Sequence, residues 1–80
     1  MSVHSKLKAA IKHADGHYNK YIENVTTLIE NPVGIGEHGD IIDEMNKHAK
    51  LAMEYRDLRD FYIKEFDFKD PSILKGWVIQ

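Results

Sequence analysis

The stretch that decides the fold is ENPVGIGEHGD, Glu30 to Asp40. It holds one proline and three glycines, while the long segments on either side contain only one more glycine, Gly16. Asn31-Pro32 predicts a helix stop, because the residue before proline is pushed out of the helical region. Gly34, Gly36 and Gly39 permit a chain reversal, and Val33 and Ile35 can cover the end of a core. The loop does not match a phosphate cradle. Gly34-Ile35-Gly36 lacks the GxxxxGK[ST] frame, and a helical pattern rather than a strand precedes it.

Outward from the loop, both flanks read as amphipathic helices. On the N-terminal side Leu7, Ala14, Tyr21 and Leu28 recur every seven residues. Ile11, Tyr18 and Val25 follow four positions on, and Ala10, Ile22 and Ile29 fill the gaps. At 100° per residue these positions occupy an arc of about 120°. The pattern predicts a helix over about 5–30, with Ser5 or Ser2 as N-cap. On the C-terminal side Ile41, Met45, Ala49, Ala52, Tyr55, Tyr62 and Phe66 share one face, widened by Leu51, Leu58 and Ile42. This predicts a helix over about 40–66, with Asp40, Asp43 and Glu44 at its positive end. Asp43–Lys47 and Asp60–Lys64 are spaced i,i+4 for pairing.

Two helices of matched length joined by a short loop at 31–39 predict an all-α, antiparallel helical hairpin in one domain, 1–80. The apolar stripes are wider than one two-helix seam covers, so a homodimer forming a four-helix bundle is expected. With no cysteine in the chain, neither a disulfide nor a thiolate metal site can reinforce so small a core. In the tail, 67–80, Asp70-Pro71-Ser72 predicts a short helical turn, since aspartate caps and proline suits the first helical position. Trp77, Val78 and Ile79 then form a bulky apolar group that either folds back as a lid or docks on another protein.

The net charge of −2 argues against a chain that coats membranes or binds nucleic acid strongly. The average hides an asymmetry: Lys6, Lys8, Lys12 and Lys20 face only Asp15 in residues 1–20, whereas 37–70 carry ten acidic and six basic residues. A mildly basic helix would thus pair with a mildly acidic one. The first residues lack an apolar signal-peptide region and no run reaches membrane-spanning length, so a cytoplasmic location is expected.

Chemistry is sparse. His13 and His17 are i,i+4, a chelating spacing, but no third ligand of clear identity accompanies them and HExxH is absent. No nucleophile elbow or cysteine nucleophile is present, so no enzyme and no cofactor are expected. His48, Arg56 and Arg59 fall within the apolar arc, where charges must be paired or snorkel outward. Asp15, Asp57 and Asp60 are candidate partners, some from a second chain. An anion site across the bundle is the alternative. Lys6, Lys8, Lys12 and Lys20, with the tyrosines and Trp77, allow weak, salt-sensitive contact with single-stranded DNA.

The loop Asn31-Pro32-Val33-Gly34-Ile35-Gly36-Glu37-His38 resembles one that joins two helices in small uncharacterised all-α proteins of T-even-type bacteriophages and marine cyanophages. In that family proline and an acid usually follow; here Gly39 replaces the proline and Asp40 keeps the acid. The resemblance implies a phage protein acting in the host cytoplasm, an accessory with a phage or host protein as partner. It also leaves Glu37, His38 and Asp40 as a candidate recognition loop. The other reading is an accessory to phage recombination or replication that binds single-stranded DNA weakly.

Overall fold

In a computed structural model, which describes residues 3–31 and 38–74, the chain forms α1 (Val3–Glu30), α2 (His38–Glu65) and α3 (Pro71–Leu74). No strand occurs among the described residues. Asp15 meets Arg59, His17 meets Tyr55 and Asn24 meets His48. Numbers thus fall on α2 as they rise on α1, which makes the pair an antiparallel hairpin. It extends over 52 × 24 × 18 Å. The predicted all-α hairpin is the observed one.

The boundaries shift in ways that have physical reasons. α1 ends at Glu30, as Asn31-Pro32 requires. It begins at Val3, so Ser5 lies inside the first turn rather than capping it, and Ser2 lies outside the described residues. α2 begins at His38, which leaves Asp40 in its first turn but moves Asp43 and Glu44 beyond it. Lys47 pairs with Glu44 at 3.7 Å rather than with Asp43, and Asp60 pairs with Arg59 rather than with Lys64.

The end of α2 is set by backbone geometry. Asp67 takes a left-handed conformation, φ 49°. The Phe68 N–H then donates to Ile63 O at 2.9 Å and the Asp67 N–H to Lys64 O at 3.4 Å. This paired closure satisfies the last carbonyls of the helix and brings the residues at its two ends into apolar contact. Ile63 and Phe68 are those residues, and both are buried in one cluster with Ile11 and Ile73. Asp70 starts α3 as its sequence predicts: its Oδ1 accepts from the Ser72 N–H at 3.0 Å and the Ser72 hydroxyl at 2.6 Å. The tail thereby folds against α1, with Leu74 packed on the same cluster.

The core is one-sided along the hairpin axis. Its buried apolar residues are Ile11, Ala14, Ala52, Ile63, Phe68 and Ile73. No described residue from Asp15 to Leu51 is buried. Ile22, Ile29 and Ile42, placed by their spacing on the apolar faces, are 41%, 63% and 50% exposed. Leu58 and Phe66 are also exposed, whereas Ile63, left off the predicted face, is buried. At 100° per residue Ile63 shares the angle of Met45, inside the α2 stripe, and the returning tail covers it there.

Candidate functional site

The polar centre of the hairpin is Arg59. Its guanidinium Nη1 donates to Asp15 Oδ1 at 2.9 Å and its Nε to Asp60 Oδ1 at 3.0 Å. The Tyr18 ring lies 5.0 Å from its Cζ, and Asn19 Nδ2 donates to the second Asp15 oxygen at 3.2 Å. Burial works against the charge on Arg59, but the hydrogen bonds and charges of Asp15 and Asp60 outweigh it, so the guanidinium is held above its ordinary value. Asp60, one of the candidate partners read from the sequence, is buried with it. Both partners come from the same chain. The ion pair between Asp15 and Arg59 has the opposite polarity to the expected basic-to-acidic helix pairing. The basic start of α1 is met instead by the tail, where Asp70 Oδ2 lies 3.8 Å from Lys8 and 3.6 Å from His4.

A ladder of rings follows the seam. His13 and His17 have centroids 4.4 Å apart; His17 stacks on Tyr55 at 4.8 Å. Tyr55 stacks on Tyr21 at 5.9 Å, and Tyr21 leans on His48 at 5.8 Å. His48 Nδ1 lies 3.4 Å from the Asn24 amide nitrogen, and its Nε2 faces Glu44 at 3.6 Å. These rings stabilise the seam, and the tyrosines Tyr21 and Tyr55 are spent on each other rather than presented as free stacking platforms. The heptad pattern places Tyr21 and Tyr55 inward; the cross-helix register that brings His17 to Tyr55 has no signal in either helix alone.

Two concavities are lined by described residues. An apolar groove of about 430 Å³ is lined by Val3, Lys6, Leu7, Ala10, Tyr62 and Phe66. A shallower depression of about 300 Å³ is lined by Lys12, His13, Gly16, His17 and Lys20. The four lysines predicted for nucleic-acid contact are therefore divided: Lys6 borders the groove, Lys8 serves the tail, and Lys12 and Lys20 flank the depression. Among the described residues no group of three or more His, Cys, Asp or Glu side chains is placed to hold a metal ion. Nor is any helix long and apolar enough to cross a membrane.

Of the candidate recognition loop, Asp40 is exposed in the first turn of α2. Glu37 and the side chain of His38 lie outside the described residues, as do Trp77, Val78 and Ile79. Comparison with protein-family models, curated proteins and solved structures gave no match.

Proposed function

We propose that this chain is a small non-enzymatic accessory protein, of the phage kind its loop resembles, that acts in the host cytoplasm through a helical-bundle surface. The observation behind this reading is the unfinished half of the hairpin. From Asp15 to Leu51 the heptad pattern persists, yet no described residue is buried, and Ile22, Ile29 and Ile42 stay exposed. Apolar side chains at helical spacing on two adjacent helices are the surface a further helix pair covers in a four-helix bundle. A second copy supplies that pair, and the completed bundle then presents its outer faces to a phage or host protein.

Sedimentation equilibrium across micromolar to millimolar protein tests the self-association. A dimer that Ile22→Lys with Ile42→Lys converts to a folded monomer supports it; a wild-type monomer throughout that range removes it.

Binding of single-stranded DNA is the second reading. It draws on Lys6, Lys12 and Lys20, since the lysine ion pairs among the described residues involve Lys8, Lys47 and Lys69 instead. Titration with a labelled oligonucleotide at low salt, followed by Trp77 fluorescence, decides it. A flat response well into the micromolar range removes this reading.

A further inference from the structure

The apolar groove at the open end of the hairpin takes a wall from each helix: Val3, Leu7 and Ala10 from α1, Tyr62 and Phe66 from α2. Lys6 is the one charged residue that lines it, so an occupant meets mainly apolar side chains. Its volume of about 430 Å³ falls in the range of cavities that enclose a small organic group. At its edges Val3 and Phe66 are 82% and 56% exposed.

The groove adjoins the place where α3 ends. Leu7 and Tyr62, which wall it, pack on the buried cluster of Ile11, Ile63, Phe68 and Ile73, and Leu74 packs on that same cluster. Residues 75–80, which follow Leu74, lie outside the described residues. Three residues reach at most about 10 Å, which puts Trp77 within range of the groove from Leu74. Trp77, Val78 and Ile79 are a run of three large apolar residues, the chemistry that the groove walls call for. The tether between Leu74 and Trp77 is only Lys75-Gly76. A tether so short holds Trp77 near the groove at an effective concentration on the order of millimolar, which a free apolar partner must outcompete.

We infer that this groove is the docking site for the chain's own C-terminal segment, with Trp77 as the anchor. The indole covers Ala10, Tyr62 and Phe66 and removes on the order of 150–250 Å² of its own surface from water. The docked segment then ties the free ends of α1 and α2 together a second time, beside the closure of Phe68 on Ile63. The inference concerns a single chain and does not rest on self-association or on an outside partner. A second copy that offers its own segment to the groove is the competing arrangement, which the test separates.

Trp77 is the chain's one tryptophan, so its signals report the docking without ambiguity. The test combines nuclear Overhauser contacts of the indole with acrylamide quenching of its fluorescence, both on the full chain. The expected contacts run from the indole protons to Ala10, Tyr62 and Phe66, and quenching should be several-fold weaker than for free tryptophan amide. Ala10→Phe, which fills the groove with a side chain of its own, should remove those contacts and return quenching to nearly the free value. Circular dichroism confirms that this variant keeps its helices; should it unfold, the wild-type contacts decide alone. Quenching of the wild-type indole at the free rate overturns the inference. So do indole contacts to any other surface, or protection that a helical Ala10→Phe variant retains. A mixture of isotope-labelled and unlabelled chains locates the contacts within or between copies. Contacts that appear only between copies overturn it too, since the groove would then receive a neighbour's segment.

Discussion

Arg59 reaches from α2 to α1 and bonds Asp15 at 2.9 Å, with only 7% of its side chain accessible. A guanidinium so enclosed must be neutralised where it lies, and Asp15 and Asp60 do so from two directions. The pair fixes the slide of one helix along the other, because displacement by one turn would separate the charges by about 5.4 Å and leave them desolvated.

Removing one partner should therefore cost more than removing the network. Arg59→Ala is expected to destabilise the fold by about 2–4 kcal/mol, since it leaves Asp60 buried beside an uncompensated Asp15. Replacing Arg59, Asp15 and Asp60 together by leucine or methionine should recover much of that loss. Urea denaturation of the set measures the difference; equal losses in both variants would refute a desolvation cost.

The left-handed residue at the end of α2 gives a second expectation. Asp67→Val should destabilise by about 1–2 kcal/mol, because a β-branched side chain is poorly tolerated at positive φ. Asp67→Gly should be neutral or gain up to about 1 kcal/mol, since glycine is the usual residue at this position of a helix end. Thermal unfolding of the two variants beside wild type checks both signs.

Stability should also depend on acid through Asp70. Its hydrogen bonds from Ser72, with the charges of Lys8 and His4, hold the carboxyl below its usual range against a smaller effect of desolvation. A carboxylate favoured in the folded state contributes stability that is fully present above its unfolded pKa, about 4. That contribution fades as pH falls through the lower folded value. Asp70→Asn should be less stable than wild type at neutral pH, and the gap should narrow below about pH 4. A gap that stays constant down to pH 2 would contradict this linkage.

Gly16 offers the converse test of cost. Gly16→Ala should raise stability by about 0.5–1 kcal/mol, because the open space admits a Cβ and the helix gains propensity. Chemical denaturation reads this directly. A destabilised alanine variant would mean that the glycine serves packing after all.

The features carried by local chemistry were legible in the sequence. Asn31-Pro32 marks the end of α1 and Asp70-Pro71-Ser72 starts α3, each through a constraint on its own backbone. What depended on distant segments was not. Nothing in the helical periodicity announces a left-handed Asp67 or the return of Phe68 onto Ile63. Asp60 reads as one of three candidate partners for the buried charges, and only packing decides that it goes inward with Arg59. The candidate site was only half visible: the turn of one helix places His13 and His17 beside Gly16 and between Lys12 and Lys20, but the stacking of His17 against Tyr55 depends on the register between helices. Arg56 reads as a charge that must be paired or reach outward, and it lies beside Asp57 at 3.7 Å.

The one-sided core makes the hairpin a molecule with two rates of opening. Amides around Ile11, Ala14, Ala52 and Ile63 can exchange with solvent only by disrupting the whole packed cluster, because the tail clasps the free ends of both helices. Those around Ile22, Ile29 and Ile42 are released by parting two helices that bury nothing completely there. If a second copy completes the bundle, protection in this half should rise with protein concentration while the clasped half changes less. Hydrogen exchange would then map association onto the hairpin residue by residue, from the loop end downward.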